Sequence, residues 1–260
     1  RVRPARRGRK PHPLNSWHSI RGQTHAKAIR VTIQSMNICD MPALLCIGHR
    51  GACGHEPENT LSSFSLAITM GSPWIELDVF SVEGELLVIH DDSLERTTNG
   101  DGEVMTSSLE YLRSLDAGGH QQIPFLHEVT ELVDQRCGIN IELKGPDTAL
   151  PVSRFLTTLC DEGWDSQAFL LSSFDHAELE RADPRFRRGA LFHRAVPDYF
   201  NSTSDLGAYS INLSSRLITQ KLIDEAHHNN LKVYVYTVND LDEIRQMEAL
   251  GVDGIFTDFP

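Results

Sequence analysis

The stretch Trp74-Ile75-Glu76-Leu77-Asp78-Val79 sets two acidic residues among apolar ones, two positions apart. In an extended strand residues i and i+2 share a face, so the side chains of Glu76 and Asp78 point the same way, whereas Ile75 and Leu77 point the other way. Two such carboxylates repel each other unless a divalent cation lies between their oxygens, and hard oxygen ligands suit Mg²⁺ or Ca²⁺. The stretch therefore predicts a buried strand that carries part of a metal site.

Residues 138–143 repeat this alternation. Asn140 and Glu142 alternate with isoleucines and a leucine, and Lys144 follows on the polar face. A polar face that points into an otherwise apolar barrel is unfavourable unless something charged is bound there. We expect Glu142 to supply a third carboxylate and Lys144 to contact an anionic oxygen.

Two histidines follow apolar runs in the same part of the chain. His49, with Arg50 beside it, ends the first run, and His90 ends the third. A (β/α)8 barrel has its active site at the carboxyl ends of its strands, so these side chains are expected at one mouth. A lone histidine there is more often structural, but two of them close to a cation can act as general acid and general base.

A bare cluster of ion pairs is the alternative to a metal site. In that arrangement Arg50 and Lys144 pair with the carboxylates of Glu76 and Asp78, and no cation is bound. It is disfavoured because the attraction between buried ions recovers little of their desolvation cost.

Apolar runs alternate with helical patterns from Met41 onward, which is typical of parallel strands joined by crossover helices. We predict an α/β fold over residues 41–260, a (β/α)8 TIM barrel with a small insertion after the third strand. The surplus strand is expected to be 189–193 or 210–213, because both are short. Nine runs are candidates for the eight barrel positions: 43–48, 74–79, 85–90, 138–143, 168–173, 189–193, 210–213, 231–237 and 254–256.

Helix signals lie between these strands. Asn59 and the pair Asn239-Asp240 are expected to cap helices, and Gly71 and Gly251 to end them. The predicted insertion, between His90 and Gly138, contains a turn cluster at 98–102 and a short helix at 108–115, and we expect it to lie over the barrel mouth. The best-indicated helices are 60–70, 147–161, 218–229 and 241–250.

Charge is distributed unevenly along the chain. Residues 1–40 hold nine Lys or Arg and one acidic residue, whereas 41–260 hold 15 basic and 35 acidic residues. This acidic body argues against nucleic acid and anionic membranes as partners. Residues 1–40 are expected to lie outside the fold, as sequence upstream of the true start at Met36 or Met41, as an organelle-targeting peptide or as a functional basic arm.

The apolar runs are too short for a membrane helix, and the first residues lack the order of a secretory signal. Five cysteines without C-x-x-C spacing favour reduced thiols over disulfides or a zinc site, and Cys53 lies in a loop beside the predicted mouth. These features predict a cytoplasmic protein without stable membrane insertion, and they leave the oligomeric state open.

Nine short motifs occur in order along residues 41–260: GHRGA at 48–52, PENT at 57–60, IELDV at 75–79, HD at 90–91, RTTNG at 96–100, IP at 123–124, IELK at 141–144, SSF at 172–174 and GVDGIFTD at 251–258. In these motifs and their order the chain resembles the glycerophosphodiester phosphodiesterase family. The resemblance implies hydrolysis of small glycerophosphodiesters to glycerol phosphate and an alcohol, with one divalent cation, Mg²⁺, Ca²⁺ or Mn²⁺.

The resemblance also implies a role for each matching residue. His49 and His90 match the base and the acid, and Arg50 and Lys144 match the contacts to phosphate. Glu58 lies by resemblance at the edge of the metal site, as a ligand or beside one, although it could equally mark the start of a helix. The metal ligands implied by the resemblance are Glu76, Asp78 and Glu142.

Several questions stay open at this level. Asp91 either orients the ring of His90 or is solvated, and Asn239 is either a helix cap or a residue of the mouth. Tyr236 replaces a common tryptophan of the family, and the loop Cys53-Gly54-His55-Glu56 is unusual. Both departures leave open which alcohol is preferred. The attacking group is either water or a glycerol hydroxyl of the substrate.

Two other functions compete with this interpretation. One is a phospholipase-D-like or phosphoinositide-cleaving barrel that acts on intact lipids, which needs an apolar rim and is disfavoured by the acidic body and the 7% aromatic content. The other is a non-catalytic phosphate-binding barrel, which is disfavoured because both histidines are present.

Overall fold

The computed structural model describes residues 44–260, so the expectations for residues 1–40 lie outside the described part of the chain. Strands and helices alternate along these residues. The strands are β1 Leu45–Gly48, β2 Trp74–Val82, β3 Glu85–Val88, β4 Gly138–Leu143, β5 Phe169–Ser173, β6 Arg187–Phe192, β7 Ser210–Ser214, β8 Lys232–Tyr236 and β9 Gly254–Thr257. The helices are α1 Leu61–Met70, α2 Leu109–Ser114, α3 Leu126–Val133, α4 Ala149–Asp161, α5 His176–Glu180, α6 Tyr199–Asp205, α7 Gln220–His228 and α8 Leu241–Leu250.

Eight of these strands form a closed parallel ring. Its order is β1-β2-β4-β5-β6-β7-β8-β9, and β9 pairs again with β1. The register sets Asp78 of β2 opposite Glu142 of β4, and Glu76 opposite Asn140. The predicted (β/α)8 barrel is therefore confirmed, and its register brings the acidic positions of two neighbouring strands to the same level.

The surplus strand is β3, so the prediction that it would be 189–193 or 210–213 was wrong. Those two segments are the barrel strands β6 and β7, whereas β3 lies outside the ring and pairs antiparallel with β2. The reason is the connection: only Glu83 and Gly84, with φ of 51° and 89°, join β2 to β3. A two-residue turn with positive φ makes a hairpin, since a parallel neighbour needs a much longer crossover.

The insertion that follows β3 packs on its own small core. This core is built from β2, β3, the short helix α2 and the loops around it, and it includes Leu87, Leu94, Leu112 and Ile123, each 0–1% exposed. The helix predicted at 108–115 is confirmed as α2. The first residues of the insertion, from His90 to Arg96, extend to the carboxyl end of the barrel.

The inside of the barrel changes character along its axis. Its lower part is apolar, with Ile47, Leu170, Tyr234 and Phe256 in contact with one another. Trp74 of β2 packs against this cluster, and Glu76 and Asp78 follow on the same face of the strand. The main core lies between the ring and the surrounding helices. The polar end of the barrel is thus supported by packed apolar layers on two sides.

Helix ends show one departure that matters for the site. Thr60 caps α1 by accepting from the Ser63 amide, whereas Asn59 was expected to do so. The Asn59 side chain instead donates to Asp78 Oδ2 at 2.9 Å, because that buried carboxylate needs donors. The other end signals are confirmed: Gly71 and Gly251 end α1 and α8, and Asp240 caps α8. Among the helices of residues 44–260, none has the length and apolar character needed to cross a bilayer.

Candidate active site

Three carboxylates converge at the carboxyl ends of β2 and β4. One oxygen each of Glu76, Asp78 and Glu142 lies within 4.8 Å of the other two. The three residues are 3%, 1% and 9% exposed. The structure thus brings together the three residues that the strand alternation placed on one face, and it holds them nearly out of contact with water.

Two cations and a backbone amide surround this cluster. Lys144 Nζ lies 3.3 Å from Asp78 Oδ1 and also pairs with Glu142, and Arg50 Nε lies 3.5 Å from Asp78 Oδ2. The Arg50 amide donates to Glu76 Oε2 at 2.9 Å. Arg50 and Lys144 therefore already pair with the carboxylates, and two positive charges face three negative ones.

The pKa values show that the two cations stabilise the ionised forms of the three carboxylates unequally. Burial and the neighbouring Asp78 raise the pKa of Glu142 to about 7, and burial with repulsion from Asp78 also raises the pKa of Glu76. Burial acts in the same direction on Asp78, but Lys144 and Arg50 outweigh it and hold the pKa of Asp78 below its usual value. With all three carboxylates ionised, the cluster therefore carries more negative charge than Arg50 and Lys144 balance.

The donor set fits a hard divalent cation. It consists of carboxylate oxygens only, which Mg²⁺ and Ca²⁺ prefer. Asp78 Oδ1 and Asn140 Oδ1 are buried and accept no hydrogen bond, although buried oxygens in proteins nearly always do. These three carboxylates could therefore hold a metal ion, which would supply the missing positive charge.

His49 stands at the end of β1 and is held by the neighbouring strand β9. Its Nδ1 lies 2.7 Å from Asp258 Oδ1, and Asn239 Nδ2 donates to the other oxygen of Asp258 at 2.6 Å. The Cys53 thiol donates to Asp258 Oδ1 at 3.0 Å. Burial raises the pKa of Asp258, but these hydrogen bonds outweigh it and hold that pKa well below its usual value. An ionised Asp258 favours the proton on Nδ1 of His49 and leaves Nε2 as a proton acceptor.

His90 belongs to the insertion and is held by charged side chains. Its Nδ1 lies 2.5 Å from Asp91 Oδ1, and Arg96 Nη2 donates to the same oxygen at 2.8 Å. Arg96 also donates to both oxygens of Glu58, which in turn accepts from Arg50 at 2.7 Å. Burial, supported by the nearby cations, lowers the pKa of His90.

These contacts answer several of the open questions. Asp91 contacts the ring of His90, and Asn239 holds Asp258 at the mouth while Asp240 caps the helix. Glu58 lies in ion pairs with Arg50 and Arg96 and outside the cluster of three carboxylates.

The partners Asp258 and Arg96 were not identified as site residues from the sequence. Both occur in the family motifs at 96–100 and 251–258, and Asp258 directly follows a barrel strand, so a signal was present. Their specific contacts could not be read from it, because His49 and Asp258 are 209 positions apart.

The site opens into a small pocket of about 150 Å³. One wall is charged, with the two histidines, and the other is aromatic, where Phe174 packs edge-on against Tyr236 with ring centroids 6.0 Å apart. Phe174 is 40% exposed at the rim. The lining residues are His49, Arg50, Glu76, His90, Asn140, Glu142, Ser172, Phe174, Leu191, Tyr236, Thr237 and Phe256. The pocket thus has a charged side and an aromatic side.

Comparison with known proteins identifies the family of this chain. Residues 49–260 match the model of the Glycerophosphoryl diester phosphodiesterase family. The chain belongs to this family. It is 34% identical over 229 residues to a glycerophosphodiester phosphodiesterase of Caldanaerobacter subterraneus subsp. tengcongensis, with 83% of this chain and 94% of that one covered. A glycerophosphodiester phosphodiesterase of Bacillus altitudinis is 35% identical over 238 residues, with 82% and 93% covered.

Solved structures of the same family agree with the fold. A phosphodiesterase of Oleispira antarctica, solved with the product sn-glycerol-3-phosphate, superposes with a TM-score of 0.76 at 28% identity, covering 85% of this chain and 94% of that one. A glycerophosphodiester phosphodiesterase of Agrobacterium tumefaciens gives 0.71 at 29% identity, covering 84% and 97%. Family membership confirms the predicted enzyme class, a phosphoric diester hydrolase that acts on glycerophosphodiesters.

Proposed function

We propose that the protein hydrolyses glycerophosphodiesters such as glycerophosphocholine or glycerophosphoethanolamine to glycerol 3-phosphate and an alcohol. Catalysis uses one divalent cation, Mg²⁺, Ca²⁺ or Mn²⁺, on Glu76, Asp78 and Glu142, with His49 and His90 as base and acid. The observation that carries this proposal is the position of both imidazoles in the pocket of the buried carboxylate cluster, each with Nδ1 held by a further carboxylate.

Charge neutralisation is the first requirement of the reaction. A phosphodiester resists attack because its negative oxygens repel a nucleophile. Arg50 and Lys144 present their positive charges beside the cluster, 15% and 16% exposed at their side chains, where little water screens them. A bound cation would polarise the phosphoryl oxygens further.

Proton transfer is the second requirement. His49 accepts the proton of the attacking hydroxyl at Nε2, because Asp258 holds the proton of the ring on Nδ1. A new P–O bond forms while the bond to the departing alcohol breaks, and His90 donates its proton to that alcohol oxygen. Because burial lowers the pKa of His90, its protonated imidazole gives up a proton more readily than an exposed one.

The substrate class follows from the size and chemistry of the pocket. About 150 Å³ suits a small deacylated phosphodiester. The relative from Oleispira antarctica was solved with sn-glycerol-3-phosphate, which supports glycerol 3-phosphate as the product here. The aromatic wall of Phe174 and Tyr236 suits the carbon atoms of the substrate. In residues 44–260 the four cysteines are unpaired, which supports action in the reducing cytoplasm. The proposed product, glycerol 3-phosphate, places the reaction within lipid and glycerol metabolism.

A substrate panel tests the proposal. We expect turnover of deacylated glycerophosphodiesters with Mg²⁺, Ca²⁺ or Mn²⁺, little turnover of intact phospholipids, and loss of activity in EDTA that is restored by metal. Full turnover after EDTA would exclude the metal-dependent mechanism. Preference for intact lipids would favour the lipid-cleaving alternative.

The variant Glu142→Gln tests the metal site specifically. Loss of one charged ligand should raise the metal concentration for half-maximal activity about 10-fold or more. Without metal the variant should unfold at the same temperature as the wild type or a higher one, because it replaces a carboxylate whose pKa is raised to about 7 by burial and by repulsion from Asp78. An unchanged metal requirement would remove Glu142 from the ligand set.

A further inference from the structure

A second group of metal-ligating atoms, distinct from the three carboxylates, lies around Nδ1 of His49. His49 Nδ1 and Cys53 Sγ lie 2.7 and 3.0 Å from Asp258 Oδ1, and they are 4.0 Å from each other. One atom of each residue lies within 4.8 Å of the other two. Nitrogen, sulfur and oxygen donors thus meet at the corners of one small triangle.

The donor types differ from those of the carboxylate cluster. Imidazole and thiolate are ligands of Zn²⁺, whereas Mg²⁺ and Ca²⁺ prefer oxygen alone. With Zn–S near 2.3 Å and Zn–N and Zn–O near 2.0–2.2 Å, tetrahedral ligands lie about 3.3–3.6 Å apart. The observed separations of 2.7, 3.0 and 4.0 Å bracket that range, so each atom needs to move by less than about 1 Å.

Two backbone hydrogen bonds tie the loops that carry these ligands. The His49 amide donates to Thr257 O, and the Gly54 amide donates to Asp258 O, each at 2.9 Å. The triangle is therefore built between the ends of β1 and β9 and does not rest on one flexible loop. The side chains of His49 and Asp258 are 19% and 26% exposed, which leaves room for water as a fourth ligand.

We propose that His49, Cys53 and Asp258 form an inhibitory site for a thiophilic divalent cation, Zn²⁺, separate from the carboxylate cluster. The spacing of the cysteines along the chain argues against a zinc site, but Cys53 and Asp258 are 205 positions apart and meet only through the closure of the barrel. Zinc binds the thiolate, and the proton of the thiol leaves to solvent.

Inhibition follows from the tautomer of His49, and this step rests on the proposed role of His49 as the base. Zinc takes the lone pair of Nδ1, so the neutral ring must carry its proton on Nε2. Nε2 then donates a proton where the reaction needs an acceptor. The occupied triangle therefore blocks proton transfer without occupying the pocket.

Cobalt binding tests the site without reference to catalysis. Co²⁺ is titrated into the full chain in excess Mg²⁺, which keeps the carboxylate cluster filled, and the near-ultraviolet thiolate-to-cobalt band is recorded. We expect the band in the wild type and in the control Cys160→Ser, and its loss in Cys53→Ser. Calorimetry should show Zn²⁺ bound about 10- to 100-fold more weakly by Cys53→Ser, because a hydroxyl is a poor zinc ligand. A missing band in the wild type, or a band that persists in Cys53→Ser, overturns the proposal.

Zinc titration of the activity in excess Mg²⁺ tests the inhibition. Each protein is compared with its own rate in the absence of zinc, and Cys53→Ser should need at least about 10-fold more Zn²⁺ for half-inhibition. Equal inhibition of both proteins overturns the proposal, since it assigns the effect to zinc on the carboxylates. A chain that binds cobalt through Cys53 and hydrolyses no glycerophosphodiester would contradict the proposed function and leave the metal site standing.

Discussion

The two histidines of the pocket are held by different parts of the molecule. The barrel holds His49, through Asp258 after β9 and Asn239 after β8. The insertion holds His90, through the adjacent Asp91 and the ion pairs of Arg96. Both arrangements fix Nδ1 with a carboxylate, but the first is anchored by an amide and backbone contacts and the second by exposed charges.

This difference affects how firmly each ring is oriented. The Asp258 amide donates to Asn239 Oδ1 at 2.9 Å, so the partner of His49 is tied to the barrel frame. The side chain of Arg96 is 49% exposed, so salt screens its pairs with Asp91 and Glu58. We therefore expect the contacts that hold His49 to persist at salt concentrations that weaken the contacts that hold His90.

The largest expected effect separates the chemical roles of the two rings. His49→Ala and His90→Ala should each lower kcat by about 10²- to 10⁴-fold on glycerophosphocholine. A glycerophosphodiester whose alcohol is the good leaving group p-nitrophenol should restore much of the rate of His90→Ala and little of that of His49→Ala. The reason is that only the acid assists the leaving group. The exposed His120 gives a control, and His120→Ala should behave as the wild type. Equal rescue of both variants would show that the roles are assigned wrongly.

The next effect compares the two carboxylates that hold the rings. Asp258→Asn should lower kcat on the order of 10²-fold, because an amide can stabilise the wrong tautomer of His49. Asp91→Asn should lower kcat less, because the role proposed for His90, a charged proton donor, needs no fixed acceptor nitrogen. Rates at saturating substrate, with far-ultraviolet circular dichroism to confirm folding, measure both. A larger loss in Asp91→Asn would reverse the comparison.

A smaller effect comes from ionic strength. Arg96→Ala should lower kcat several-fold by releasing Asp91 and Glu58, and Arg96→Lys should recover part of the loss, because lysine keeps the charge but not the forked contact. Rising salt should slow the wild type more than Arg96→Ala, since the screened ion pairs are already absent in the variant. Parallel salt profiles of the two proteins would show that these pairs do not position His90.

The smallest effect on activity is expected at the opposite end of β9. Asp253 accepts hydrogen bonds from Lys232 Nζ at 2.7 Å and from the Val233 amide at 2.9 Å. Burial opposes ionisation, but these contacts hold the pKa of Asp253 below its ordinary value of 3.8. Asp253→Asn should therefore leave kcat unchanged and lower the free energy of unfolding near pH 7 by about 1–3 kcal/mol.

The sign of its pH dependence follows from that lowered pKa. The contribution of Asp253 to stability is present above pH 3.8 and is lost as the pH falls through the folded-state pKa, because the unfolded carboxylate takes up its proton first. Denaturant unfolding of wild type and Asp253→Asn at neutral and acidic pH should show the difference shrink on acidification. A difference that persists in strong acid would contradict this assignment.

Much of the fold was readable from local patterns. Alternation in β2 and β4 predicted strands with one polar face, and the alternation of strands with helices predicted the barrel. The error at β3 arose because an apolar run has the same appearance in a hairpin as in a barrel strand. The two-residue link at Glu83 and Gly84 was the signal that separates them, since no crossover fits within two residues.

The contacts of the candidate site could not be predicted from local patterns. Asn59 was expected as a helix cap because its position suits one, but the unsatisfied carboxylate of Asp78 takes its amide instead. Arg96 and Asp258 lie in recognisable motifs, yet their contacts with Glu58, Asp91 and His49 depend on how the loops pack. Such contacts have no period along the chain, so no local pattern predicts them.

The sequence by itself determined the type of barrel, the acidic face of β2 and β4 and the family, because side-chain alternation and ordered motifs are local properties that survive without coordinates. Only the tertiary structure decided which group holds each histidine and how Cys53 meets His49 and Asp258. The physical reason is ring closure: β9 pairs with β1, and this pairing brings the last residues of the chain against the first strand.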